Sequence, residues 1–418
     1  MKIEVLRSAI SGTINAPSSK SAMQRYTAGA LLAEGVSRIS LPSLSDDSLA
    51  ALKIAEALGA EISITDDLVE IKGGFKPHMN EIFCGESGLA ARMFTPIAAL
   101  HSGEIIINGR GSILSRPVKM MEAPMSELGV EISTNNGFLP IKIKGPMKGG
   151  DVIADGSVSS QFITGLLMAL PVVKEDSVIF VDDLVSRPYI DLTIRILKEF
   201  NIDIQNHSYE KFEIEGRQKY LSGDFKVEGD WSGGAFLLVL AAIGGEVRIR
   251  NLSLNSAQAD KTIFDVIRIS GANISSSEDS IAVSGRDLHG FCFDITDCPD
   301  LAPPLVILAL ACSGKSIITG TGRLSSKESD RGKILEATLT SLGGKIRNYK
   351  DRIEIEGGTP LHGGVVSAYN DHRIAMALTS ASLISNSPII IDGMECINKS
   401  YPRFIDDFKK LGGKTKLL

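Results

Sequence analysis

The sequence has no apolar run long enough to cross a bilayer as a helix. Its longest, around residues 235–243 and 305–311, fall far short of the roughly 20 residues such a span needs. The N-terminal stretch MKIEVLRSAISG alternates as a strand does and lacks the apolar core of a secretory signal, so the expectation is a cytoplasmic protein. There is no basic excess either: 44 Lys and Arg face 50 Asp and Glu, a formal net charge of −6. That balance argues against nucleic acid or an anionic membrane as the main partner and leaves room only for a local basic pocket. Five cysteines in 418 residues fit a reducing compartment. What is abundant is core material, with 43% hydrophobic and 22% charged residues, enough for two cores in a chain of this length.

The most informative pattern is an internal repeat. LGAEI, LGVEI, FNIDI, SGANI, LGGKI and LGGKT each close a helical pattern and lead into a strand. Their second residues fall at 59, 129, 201, 271, 343 and 412, a spacing that stays close to 70 throughout. Half a unit out of phase, an apolar helical stretch is followed by SRISL, EIIIN, SVIFV, EVRIR, KSIIT and PIIID. Hairpin second arms follow as VEIKGG, IKIKGP, FEIEGR, IAVSGR and IEIEGG. The sixth is supplied by IEVLRS at residues 3–8, which predicts a chain that begins in its C-terminal domain. Each unit thus holds two helices and about four strands and predicts layered α/β domains. The symmetric division is three units in 19–228 and three in 229–418 together with 1–18.

In every unit one helix opens on a polar cluster: SSKSAMQR, GESGLAAR, SVSSQF, GDWSGG, DCPDLAP and YNDHR. SRP, SRPY, SSKESDR and NKSYPR open the others. Ser, Asp and Asn at such positions are ordinary N-caps. Caps do not call for cations, however, and a basic side chain at a helix start opposes the macrodipole by about 0.3–1 kcal/mol. Lys20, Arg116, Arg331, Arg373 and Lys399 therefore point to a strongly anionic ligand, such as two phosphates plus carboxylates, seated at helix N-termini. Asp300 and Glu328 stand among these cations as candidate proton donor and acceptor; plain capping or ion pairing is the alternative. His372, beside Asp371 and Arg373, reads as an orienting hydrogen-bonder. Gly314-Lys315-Ser316 resembles the end of a P-loop but lacks the first glycine. His289, Cys292 and Cys298 fit no standard zinc spacing, and Cys84 reads as a buried thiol.

SSKSAMQR, GLAAR, SSQF, SRPY, CPD, KESDR, NDHR and NKSYP occur in the order and spacing of the 5-enolpyruvylshikimate-3-phosphate synthase family, which the whole chain resembles. The resemblance implies a two-domain inverse α/β barrel of the enolpyruvyl transferase type, three βαβαββ repeats per domain, with the active site in the interdomain cleft. It implies transfer of the enolpyruvyl group of phosphoenolpyruvate to the 5-hydroxyl of shikimate 3-phosphate, by a monomer that needs neither a metal nor an organic cofactor. By position it implies that Lys20, Ser21, Arg25, Ser159, Ser160, Gln161, Ser186, Asp300, Arg323 and Lys327 bind shikimate 3-phosphate. Lys20, Gly88, Arg116, Gln161, Arg331, Arg373 and Lys399 would bind phosphoenolpyruvate, with Arg92 a neighbour, and Asp300, Glu328 and Lys20 would be catalytic. Glu86 and Ser87 stand where the family more often has Asn and Ala, Leu89 where Thr is frequent, and Arg323 where Asn is common.

Three alternatives remain at this level. The sister enzyme acting on UDP-N-acetylglucosamine typically carries a loop cysteine, absent from residues 109–119, and a PNKN-like opening where this chain has PSSKS. An RNA 3'-phosphate cyclase-like protein would need a nucleotide-handling histidine and a less acidic surface. A non-catalytic anion-binding scaffold leaves the paired acids unexplained.

Overall fold

The computed structural model describes residues 1–285 and 287–418; position 286, the last residue of the IAVSGR arm, lies outside them. The chain divides into two compact units, one of Met1–Pro17 with Gly229–Leu418 and one of Ser18–Glu228, one residue from the division read in the sequence. The second unit holds α1 (Lys20–Leu32), α2 (Asp46–Ala57), α3 (Gly88–Ala98), α4 (Glu122–Glu127), α5 (Gln161–Ala169) and α6 (Arg187–Glu199). The first holds α7 (Trp231–Gly244), α8 (Ile263–Ile269), α9 (Ala302–Ala311), α10 (Arg331–Ser341), α11 (His372–Ala381) and α12 (Phe404–Lys410). No helix among the described residues is long and apolar enough to cross a membrane.

Among the described residues each unit carries three four-stranded sheets of one topology. In the sheet Glu81–Phe83, Glu104–Asn108, Phe138–Lys144, Glu131–Asn135, the first two strands are parallel and the other neighbours antiparallel. A helix links the parallel pair, as βαβ geometry requires, and a hairpin supplies the rest. Three sheets combine strands from distant parts of the chain. Ile10–Asn15 lies parallel to Gly245–Arg250, and Asp224–Lys226 lies parallel to Val36–Ser40. The chain therefore leaves one unit after the first strand of a βαβ and completes that crossover only after the whole other unit has been built. Lys2–Leu6 sits between Ile389–Asp392 and Lys414–Leu417, the place held elsewhere by a second hairpin arm.

The repeat has a backbone cause. Gly59, Gly129, Gly271, Gly343 and Gly412 all have positive φ, and the sixth position, Asn201, has φ 65°. Each follows a helix and turns the chain into the hairpin, a left-handed C-terminal stop that favours Gly and tolerates Asn.

The first helix of each repeat is buried nearly all round: Leu89 to Ala98 in α3, Trp231 to Ala242 in α7 and Ala302 to Leu310 in α9 have no exposed position. A helix apolar on every side belongs inside a core. In one unit α7, α9 and α11 pack on one another; in the other α3 packs against both α1 and α5. Beneath α1, the rings of Tyr26, Tyr220 and Phe225 surround Phe200. Phe200 reaches α1 because residue 29 is Gly, where a Cβ would lie 2.5 Å from the ring. With the inner helices enclosed, their polar N-terminal turns are where charged chemistry can be presented.

Candidate active site

Ser18–Glu228 presents three inner-helix openings. Ser19 caps α1 by accepting from the Ala22 N–H, which puts Lys20 in the first turn, where its Nζ donates to Asp47 Oδ2 at 2.8 Å. Arg25, one turn on, is 1% exposed and well tied. Its Nε donates to Thr193 Oγ1, Nη1 to the Ser21 carbonyl, and Nη2 to Thr164 Oγ1 and the Tyr189 carbonyl. Burial lowers its pKa to about 10. In this arrangement Arg25 orders Ser21 and the α6 opening.

Ser87 caps α3 and donates to Gln24 Oε1, linking the second opening to α1. Gly88 follows, and a Cβ there would lie 2.6 Å from Arg116 Nη1, so the guanidinium rests directly on the bare backbone. Arg92 bridges the second and third openings: Nη1 donates to Gln161 Oε1 and Nη2 to the Pro117 carbonyl, both at 2.8 Å. Ser159 Oγ accepts from the Gln161 N–H, and Ser160 is the N-cap residue of α5. Ser186 stands at the N-cap position of α6 with a left-handed backbone, φ 56°, a strained conformation for a non-glycine residue.

The other unit carries the acids. Arg331 at the start of α10 has no exposed side-chain surface, and its guanidinium serves three carboxylates. Nη1 donates to Asp300 Oδ1 at 2.8 Å, Nη2 to Glu328 Oε2 at 2.6 Å, and Nε to Asp371 Oδ2 at 2.8 Å. Arg373 Nη2 donates to the other Asp300 oxygen at 2.8 Å, and Lys327 Nζ stands 3.7 Å from Asp300 Oδ1. Lys399 Nζ donates to the Asn370 carbonyl, next to Asp371. Arg323 is held at the edge of this group, donating to the Thr296 carbonyl. Asp300 and Glu328 keep 23% and 16% side-chain exposure, so the acids are the accessible members and Arg331 their support.

Burial alone would raise the Asp300 carboxyl, but Arg373, Lys327 and Arg331 outweigh it and hold the group well below the ordinary carboxylate range. Burial brings Lys327 down to about 8 despite Asp300. Burial also works against Arg331, but Asp371, Glu328 and Asp300 raise it and secure its charge.

Of the residues singled out in the sequence, Asp300, Glu328, Lys327, Arg331 and Arg373 form one connected group in this unit, reached by Lys399 through its neighbour's carbonyl. Arg92, Gln161, Arg116 and Gly88 form another in the other unit. One inference from position fails. Lys20, Arg331 and Arg373 lie in first turns of α-helices, but Arg116 follows the 3-10 turn Gly111–Ser115 and Lys399 ends the 3-10 turn Met394–Lys399. Those two do not oppose a helix dipole, because both stand at the C-terminal end of a short 3-10 segment, where the dipole is negative. Gly314-Lys315-Ser316 opens the strand Gly314–Thr319, with Lys315 paired to Glu354, and so cannot cradle a phosphate. Among the described residues no group of His, Cys, Asp and Glu is placed to hold a metal ion. Cys84 is fully buried, and burial pushes its thiol up to about 12.

Sequence reasoning passed over Asp47 and Asp260, gave Asp371 no role of its own, and marked Glu86 only as a departure from the family's pattern. Asp260 is fully buried, accepts from the Ser232 hydroxyl, and is raised to about 7 by burial and then Asp300, against the pull of Arg373. Asp371 stood in the YNDHR cluster, and its link to Arg331 needs the fold to be seen.

The model of the family described as EPSP synthase (3-phosphoshikimate 1-carboxyvinyltransferase) matches residues 6–408. A 3-phosphoshikimate 1-carboxyvinyltransferase of Clostridium novyi is 38% identical over 98% of this chain and 97% of its own length. That of Clostridioides difficile is 37% identical over 99% and 98%. The solved EPSP synthase of Acinetobacter baumannii superposes with TM-score 0.85 at 25% identity, covering 100% of both chains. With its repeats, its paired acids and these relatives in agreement, the chain belongs to the EPSP synthase (3-phosphoshikimate 1-carboxyvinyltransferase) family.

Proposed function

We propose that this chain transfers the enolpyruvyl group of phosphoenolpyruvate to the 5-hydroxyl of shikimate 3-phosphate and releases inorganic phosphate. The observation that carries the reading is the placing of Asp300 and Glu328 on a single buried guanidinium, that of Arg331, with Arg373 and Lys327 completing a cationic frame around Asp300. Two acids held side by side with cations suit a reaction that moves two protons between two anions.

Glu328 protonates the methylene carbon of phosphoenolpyruvate while Asp300 accepts the proton of the attacking hydroxyl, and the oxygen bonds to the adjacent carbon. Glu328, now ionised, then takes a proton back from the new methyl group as the carbon–phosphate oxygen bond breaks, and the phosphate leaves with the hydroxyl proton that Asp300 had accepted, which restores both acids. Three nearby cations make Asp300 a poor proton acceptor; when Lys327 and Arg373 turn toward substrate anions, that positive charge is drawn off and its basicity returns. Lys20, Ser21, Ser159, Ser160, Gln161, Ser186, Arg323 and Lys327 hold shikimate 3-phosphate, and Arg25 acts through Ser21 and α6. Lys20, Gly88, Arg116, Gln161, Arg331, Arg373 and Lys399 hold phosphoenolpyruvate. Fixed cations offset the mutual repulsion of the substrates and the charge developing in the tetrahedral intermediate.

The test is phosphate release by purified protein given phosphoenolpyruvate and shikimate 3-phosphate, without added metal. Turnover with UDP-N-acetylglucosamine alone would transfer the assignment to the sister enzyme, and binding without turnover would leave a scaffold. Glu328→Gln and Asp300→Asn should each slow turnover by roughly 10²-fold or more; near-normal rates in both would remove these proton-transfer roles.

A further inference from the structure

Glu86 is an acid one residue before the cap of α3, in a turn expected to receive an anion, where a free carboxylate would repel the ligand. The structure gives it another occupation. Its Oε2 accepts from both the backbone N–H and the hydroxyl of Ser112, each at 3.1 Å. Ser112 lies in the 3-10 turn Gly111–Ser115, which leads directly into Arg116. Residue 111 is Gly, with φ at +61°, and a Cβ there would lie 2.4 Å from the Glu86 carboxyl carbon and would push the carboxylate off the turn. The two turns also meet through backbone, with the Arg110 N–H donating to the Gly85 carbonyl at 2.8 Å. On the far side of Arg116, the Pro117 carbonyl is held by Arg92. Arg116 is thus fixed from both flanks, and its guanidinium lies on Gly88, two residues beyond Glu86.

We propose that Glu86 is a positioning residue for Arg116, its carboxylate latching the Gly111–Ser115 turn to the α3 opening so that the guanidinium is held over Gly88. This rests on the reading that Arg116 binds phosphoenolpyruvate. The latch needs an acceptor and not a charge. Gln in place of Glu keeps an oxygen for Ser112, whereas Ala removes the side-chain tie and leaves the backbone contact, Arg92 and the buried Ile113 to hold the turn.

Steady-state kinetics of the full chain decide the matter. Glu86→Ala should raise KM for phosphoenolpyruvate by about 10-fold, with kcat and KM for shikimate 3-phosphate within about 2-fold of wild type. Glu86→Gln should recover most of that loss, and Ser112→Ala, which removes one of the two donors, should fall between. In an Arg116→Lys background, adding Glu86→Ala should change KM by less than about 2-fold, because the group being positioned is already altered. A thermal midpoint within about 2 °C of wild type should accompany the effect. Equal rises in both KM values, a lowered midpoint that Gln does not restore, or full additivity with Arg116→Lys would each overturn the latch. Wild-type protein that turns over neither substrate would defeat the functional reading beneath it, whereas an active wild type with an unaltered Glu86→Ala defeats the latch alone.

Discussion

Asp371 and Arg331 face each other with no exposed surface on either side chain, joined by Nε to Oδ2 at 2.8 Å and Nη2 to Oδ1 at 3.2 Å. Asp371 also accepts from the Ser329 hydroxyl and, as the cap of α11, from the Arg373 N–H, so each of its oxygens takes two donors. One carboxylate thereby sets the angle of both arginines that grip Asp300. Removing one member of a buried pair leaves the other charged and under-compensated, a larger cost than the net worth of the pair. Asp371→Ala should lower unfolding free energy by about 3–5 kcal/mol, read from the urea midpoint. Asp371→Asn, which keeps an acceptor and the cap, should lose much less. Equal stability in wild type and the Ala variant would show that Asp300 and Glu328 alone satisfy Arg331.

Lys327 offers a pH signature. Its pKa is brought from the ordinary 10.5 to about 8, chiefly by burial. Between those values the unfolded chain binds the proton and the folded chain has lost it, so this group makes stability rise with pH across that window. Anionic substrate favours the charged form and reverses the shift. Binding of shikimate 3-phosphate near pH 9 should therefore take up close to one proton. Calorimetry in buffers of different ionisation enthalpy measures that uptake directly. Lys327→Met should abolish it; a wild-type enthalpy independent of buffer would rule out Lys327 as the group that recharges.

Much of this architecture was legible because it is repeated. A left-handed stop after a helix admits few residue types, so Gly59, Gly129, Asn201, Gly271, Gly343 and Gly412 marked the period in plain sight. The arm IEVLRS had the form of a hairpin partner, and Lys2–Leu6 occupies that place. Within the site, cations at helix starts stood out because they oppose the dipole, as Lys20 and Arg331 do. The same logic misjudged Arg116 and Lys399, since a 3-10 turn and an α-helix opening look alike over three or four residues. Contacts across repeats were beyond reach: Asp371 to Arg331 spans 40 residues and Arg92 to Gln161 spans 69. Nothing in a single sequence marks an Asp as a partner for one particular Arg.

Gly165 tests how closely the inner helices must approach. A Cβ at this position of α5 would lie 2.7 Å from the Met93 carbonyl oxygen and 2.9 Å from that of Arg92, both in α3. These are backbone atoms of a buried helix and cannot swing aside as a side-chain end would. Gly165→Ala gains about 1 kcal/mol of helix propensity, but parting two packed helices costs about 1–3 kcal/mol or more. The variant should therefore be destabilised, with a lower denaturant midpoint and an unchanged slope. The displacement has a functional side, because α5 begins at Gln161, whose Oε1 is 2.8 Å from Arg92 Nη1 on the helix being pushed away. Lengthening that bond should weaken phosphoenolpyruvate binding more than shikimate 3-phosphate binding where Arg92 steadies Pro117 and so Arg116. An Ala variant as stable as wild type would mean that the helices separate freely and that this close contact is incidental to the core.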